Sequence, residues 1–67
     1  MNVGDFVKIR RRAVKLTQPE LAEKAGVGLR FIRELEQGKE SLRLDKVNKV
    51  LQIVAWEMSP VSKNLMI

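Results

Sequence analysis

The residues of this chain that are equipped for chemistry are mostly cations. Lys8, Arg10, Arg11, Arg12 and Lys15 crowd the first quarter, and Arg30, Arg33, Lys39 and Arg43 crowd the middle. Thirteen Lys and Arg against eight Asp and Glu leave a net charge of +5 and an isoelectric point near 10.1. Such a field attracts polyanions. Nucleic acid and anionic lipid both qualify, and a plain solvated surface is the bland alternative. Other chemistries lack their groups, because the sequence has no histidine and no cysteine. Disulfides and a structural metal are thereby excluded as staples, and the usual nucleophile and base pairs cannot be assembled. There is no phosphate-cradling Gly-rich loop, and Glu34 and Glu36 point to different sides of one helix. The chain is therefore expected not to be an enzyme, and no cofactor follows from it.

The cations need a scaffold, and 67 residues make one small domain with a compact core and modest stability. Dimerisation would add to that stability. The absence of cysteine fits a reducing cytosol. No apolar run approaches the roughly 20 residues of a membrane span. Met1 to Val14 has polar and charged residues where a signal peptide would be apolar. A cytoplasmic protein that does not engage the membrane is expected, of bacterial or phage type.

Helical spacing recurs four times. Gly4 and Asp5 can start a first helix, from about Asp5 to Val14, in which Val3, Phe6, Val7, Arg10 and Val14 repeat. Thr17 followed three residues on by Glu20 is a capping box, with Pro19 in the first turn where its missing N–H costs nothing. Leu21, Ala22 and Ala25 give this second helix a buried face, and Gly26 can take the positive φ that ends it. The third helix spans about Leu29 to Gln37, with Phe31, Ile32 and Leu35 inward. At 100° per residue its outward arc holds Leu29, Arg33, Gln37, Arg30 and Glu34, over about 140° of circumference. A polar loop from Gly38 to Arg43 leads to a fourth helix, patterned by Leu44, Val47, Val50, Leu51 and Val54.

Beyond it, Ala55 to Met58 reads as a short strand with Trp56 and Met58 on one face, stopped by Ser59 and Pro60. A lone strand in a helical monomer needs a partner, and the same segment of a second copy supplies one under twofold symmetry. The alternative is that Trp56 packs on the fourth helix of its own chain. Residues 62–67 form a tail ending in Leu65, Met66 and Ile67, open to reading as a disordered end, a dimer contact or a docking peptide.

Helices two and three meet the demands of a helix-turn-helix. Two helices crossing steeply need a small residue early in the first, a glycine at the turn and apolar residues locking the second. Ala22, Gly26, Val27, Ile32 and Leu35 supply them. Here the chain resembles a known family. The run Leu16-Thr17-Gln18-Pro19-Glu20-Leu21-Ala22-Glu23-Lys24-Ala25-Gly26-Val27, followed by Phe31-Ile32 and Glu34-Leu35-Glu36-Gln37-Gly38-Lys39, looks like the Xre and phage-repressor class. Arg43-Leu44-Asp45-Lys46-Val47 with Lys49-Val50-Leu51 and the short apolar tail most resemble its HipB-like antitoxin branch. The resemblance covers about residues 3 to 61. It implies an all-α, four-helix, lambda-repressor-like domain over residues 1–61, with the short strand pairing across a homodimer.

The resemblance also implies roles. A glutamine at the place of Gln18 binds a phosphate in such proteins, where the helix dipole assists. Bases are read from Gly28, Leu29, Arg30 and Arg33. Arg30 and Arg33 carry the expectation, since a guanidinium pairs in bidentate fashion with O6 and N7 of guanine, though either can bind phosphate instead. Leu29 would at best touch a thymine methyl. Gly28 lets the backbone approach, but where relatives carry Ser or Thr it forfeits a hydroxyl contact and an N-cap. Gln37, Lys39 and Arg43 should face phosphates, which position the protein without reading sequence. A structural ion pair maps onto Arg11 and Glu36. Lys15 stands where relatives often have glycine, so a small backbone strain is expected there.

The function this implies is a homodimeric transcriptional repressor on double-stranded DNA. Its two recognition helices would enter successive major grooves about 34 Å apart, on a near-palindromic operator. In the HipB-like branch the partner is a HipA-like kinase toxin, and the operon is its own. The alternatives are a stand-alone Xre or phage-type regulator without a toxin, and an interaction adaptor that has kept the fold and lost DNA binding. A membrane-active first helix is weaker, because Phe6 and Val7 are wanted by the core.

Overall fold

The computed structural model describes residues 2–57, with side chains through Ala55. Four α-helices follow one another: α1 (Val3–Ala13), α2 (Gln18–Ala25), α3 (Leu29–Glu36) and α4 (Leu44–Gln52). A π-helical turn, Ile53–Glu57, continues α4. There is no strand among the described residues. None of their helices is long and apolar enough to cross a membrane.

Each helix start has a local cause. The first is set two residues earlier than Asp5, by a capping box in which the Asn2 side chain accepts from the Asp5 N–H at 2.9 Å and Asp5 Oδ2 accepts from the Asn2 N–H at 3.4 Å. The second is the expected one, with Thr17 Oγ1 accepting from the Glu20 N–H at 3.2 Å and Glu20 Oε1 accepting from the Thr17 N–H at 2.8 Å. Gly28 begins α3 without any side-chain cap. The helix ends rest on left-handed residues: Lys15 at φ 60°, Gly26 at φ 71° and Gly38 at φ 89°. After α1, the Lys15 N–H donates to the Arg12 carbonyl and the Leu16 N–H to the Arg11 carbonyl, both at 3.0 Å, a Schellman closure in which glycine is the ordinary occupant.

The core is one cluster of Val7, Leu21, Ala22, Ala25, Ile32, Leu35, Val47, Val50, Ile53 and Val54, fringed by Phe6, Val27, Phe31, Leu42 and Leu51. α2 packs most closely on α3, with Ala22 buried. Gly4 sits under the end of α3, where a β-carbon would overlap the Leu35 carbonyl oxygen, so α1 and α3 approach through backbone. Leu44 is 72% exposed, so α4 begins one residue before its buried face does.

The strand expected over Ala55 to Met58 is overturned as far as the structure describes it. Ala55, Trp56 and Glu57 lie in the π-helical turn. Helical spacing of the apolar residues continues past Val50 to Ile53 and Val54, both buried, and that burial outweighs the short alternation read as a strand. The Arg10 Nε donates to the Val54 carbonyl at 3.1 Å, tying the turn to α1. With no strand across Ala55 to Glu57, the inter-subunit strand pairing through Trp56 and Met58 loses its basis. The Trp56 side chain and the whole of Met58 lie outside the described residues.

Candidate nucleic-acid interface

The centre of the site is an ion pair that the fold buries. Arg11 on α1 donates to Glu36 on α3 from Nε at 2.6 Å and from Nη2 at 3.0 Å, and its Nη1 donates to the Leu16 carbonyl at 2.8 Å. The two side chains are 10% and 3% exposed. Burial pushes the Glu36 carboxyl up, but hydrogen bonds from Arg11 and Gln18 and the charges of Arg11 and Lys8 outweigh it, so the group is held below the ordinary carboxylate range. The Arg11 guanidinium is correspondingly raised, chiefly by its hydrogen bond to Glu36. The sequence expectation placed these two residues together, and they meet here as a fork-to-fork pair.

That pair also fixes a surface residue. Gln18, the first residue of α2, donates from Nε2 to Glu36 Oε1 at 3.0 Å and is half-buried. Its amide retains a second N–H beside the positive end of the α2 dipole, a position suited to an anion.

Around this centre lies an open polar groove. It is lined by Lys8, Arg12 and Lys15 from the end of α1, by Gln18 at the start of α2, and by Arg33 and Gln37 from α3. Its one acid, Glu36, is already neutralised by Arg11. The groove thus holds a concentrated positive potential, and an extended polyanion can lie along it with several cations on one side. Lys8, Arg12 and Lys15 had been noted only as charge. Their spacing of four and seven residues, with Arg11 between, places them on one helix face, and that was the signal available in the sequence.

The other residues singled out in the sequence fall into two further places. Arg30 is 91% exposed on the side chain and lies 3.5 Å from Glu34, one turn on, while Lys39 reaches the same Glu34 oxygen at 3.4 Å. Gly28 is exposed and Leu29 half-buried at the N-terminal end of α3, beside Arg30. Arg43 is separate: at the N-cap of α4, it pairs with the exposed Asp45 at 2.9 Å. That contact holds the Asp45 carboxyl below its ordinary value, chiefly through the Arg43 hydrogen bond. Exposed pairs of this kind are weak, so Arg43 and Lys39 can exchange their partners for another anion at small cost. The tethering of Arg30 and Lys39 by Glu34 was not anticipated, although Arg30 and Glu34 have the spacing that brings two residues together on a helix.

Helices α2 and α3, joined through a left-handed Gly26, with a cationic and amide-bearing outer face, define a protein that seats its second helix on duplex nucleic acid. A family model described as helix-turn-helix matches residues 7–53. The uncharacterized HTH-type transcriptional regulator y4mF of Sinorhizobium fredii (strain NBRC 101917 / NGR234) is 51% identical over 51 residues, which cover 76% of this chain and 67% of that protein. No solved structure matches the chain. The chain belongs to the helix-turn-helix family of DNA-binding transcriptional regulators.

Proposed function

We propose that this protein is a homodimeric repressor that reads a near-palindromic operator with α3, and that it is the antitoxin of a HipBA-like module acting on its own operon. The observation that carries the DNA-reading part is the juxtaposition of a cation-lined groove with an exposed Arg30 and Arg33 on the outer face of α3. In this reading Arg30 or Arg33 pairs with guanine, with Gly28 and Leu29 beside them at the groove floor. Gln18, Gln37, Lys39 and Arg43 take phosphates.

A twofold operator calls for a twofold protein. With strand exchange set aside, a helical face supports the dimer: Ile9 is 54% exposed, and half-buried Phe6, Leu51 and Ala55 line a shallow depression between α1 and α4 with Asn48 and Gln52. A second copy related by symmetry would cover that apolar surface. The antitoxin assignment, with a HipA-like kinase as the second partner, is supported by the resemblance of Arg43 to Val47 and Lys49 to Leu51 to that branch.

The test is a titration of the purified protein against its own upstream DNA at two salt concentrations, beside Arg30→Ala and Arg33→Ala. Binding that weakens steeply with salt, and a variant that loses preference for that site over random duplex, agree with the proposal. Absence of binding to either DNA at low salt sinks it. Co-purification with the product of the adjacent gene, present or absent, decides the antitoxin assignment independently.

A further inference from the structure

Glu34 is the one acid on the outward arc of α3, and a carboxylate on a phosphate-facing surface opposes binding unless something is gained from it. Its surroundings show what it does. One oxygen, Oε2, lies 3.5 Å from Arg30 Nε and 3.4 Å from Lys39 Nζ, so a half-buried acid stands between two exposed cations. Its approach to Arg30 is at Nε, the base of the guanidinium fork, which leaves the two terminal nitrogens to form a bidentate pair. Arg30 has no other acid partner among the described residues, and at 91% exposure its side chain would otherwise sample many rotamers.

We propose that Glu34 is a specificity-determining residue that positions Arg30 for a base edge and penalises docking on phosphates alone. The inference rests on the DNA-binding reading above. When the surface meets DNA in a register where no base accepts from Arg30, the Glu34 charge faces the phosphates with only Lys39 to offset it, and the complex is weakened. Where guanine O6 and N7 accept from the Arg30 terminal nitrogens, the carboxylate stabilises the guanidinium from behind and its charge is compensated on both sides. The acid thus lowers affinity in general and raises the contrast between right and wrong sites, which is how selectivity is obtained by opposing the alternatives.

The experiment is a selection from a randomised duplex library with wild type, Glu34→Gln, Arg30→Ala and the double variant, followed by titration of each against one fixed random-sequence duplex. Wild type should enrich a guanine at one position of each half-site. Glu34→Gln should bind the random duplex more tightly, enrich that guanine less, and lower the ratio of selected to random affinity by about tenfold, within the range that one bidentate contact confers. In the Arg30→Ala background the Glu34→Gln change should no longer alter base preference, which separates positioning of Arg30 from a general charge effect. Glu34→Gln with unchanged enrichment and unchanged random-duplex affinity overturns the proposal while leaving the DNA-binding reading intact. Failure of wild type to bind any duplex overturns both.

Discussion

At the scale of single residues, two positions carry opposite relations between stability and binding. Glu36 is held below its ordinary value of 4.5 in the folded chain, so on acidification the unfolded chain takes up its proton first. Its stabilising contribution is complete above about pH 4.5 and is lost as pH falls through the depressed native value. Glu36→Gln removes that titration and leaves Arg11 buried without its counter-charge, a loss of about 3–5 kcal/mol. Urea midpoints taken in sucrose, which keeps a weakened variant folded, should be far lower for Glu36→Gln near neutrality and should then fall less than wild type towards acid. A parallel fall in both would show that the pair contributes nothing to acid unfolding. Lys15 is the reverse case. Its left-handed backbone costs a side-chain-bearing residue about 1–2 kcal/mol, whereas glycine there costs about 0.5–1 kcal/mol of extra unfolded-state freedom. Lys15→Gly should therefore raise the melting temperature, yet weaken duplex binding because a groove cation is lost. A variant that melts lower would show that Lys15 makes a compensating contact.

At the scale of elements, close approach matters as much as burial. In α1, Gly4→Ala gains about 1 kcal/mol of helix propensity, but the added methyl meets the backbone carbonyl of Leu35, which cannot rotate away as a side chain could. Overpacking of this kind typically costs about 1–3 kcal/mol, so thermal melting should show a net loss; an unchanged or higher midpoint would mean that α1 shifts freely on α3. This contact also shows why part of the fold escaped a reading of the sequence. Thr17 with Glu20, Gly26, and the inward set of Ile32 and Leu35 each announce themselves by local spacing, and α2 and α3 lie where those signals put them. Asn2 with Asp5 has the same spacing as a capping box but an acid shorter by one methylene, and Gly4 read as a starter rather than as a place of contact. At the other end, Trp56 and Met58 alternate as in a strand, while the decisive fact, burial of Val54 against α1, depends on a helix more than forty residues away in sequence. For the site, cation types and helix faces were legible. The grouping of Lys8, Arg12 and Arg33 in one groove required the crossing of α1 over α3.

At the scale of the whole molecule, the cations divide into those committed to the fold and those left for a partner. Arg11 is buried against Glu36 and Arg10 is engaged with the Val54 carbonyl, whereas Lys8, Arg12, Lys15 and Arg33 face the groove without an acid partner among the described residues. Each phosphate contact adds about 0.9 to the slope of log affinity against log salt. Arg12→Ala should flatten that slope by about one unit per subunit without changing base preference; an unchanged slope would place Arg12 outside the contact surface. The clamp of Arg11, Glu36 and Gln18 bears on how such a protein finds its site. Because folding itself fixes the amide of Gln18 and the pitch of α3, arrival on DNA need not be followed by a rearrangement before the bases can be scrutinised. A molecule sliding along a genome in this form tests each register in passing, and its search is limited by one-dimensional diffusion rather than by a conformational clock.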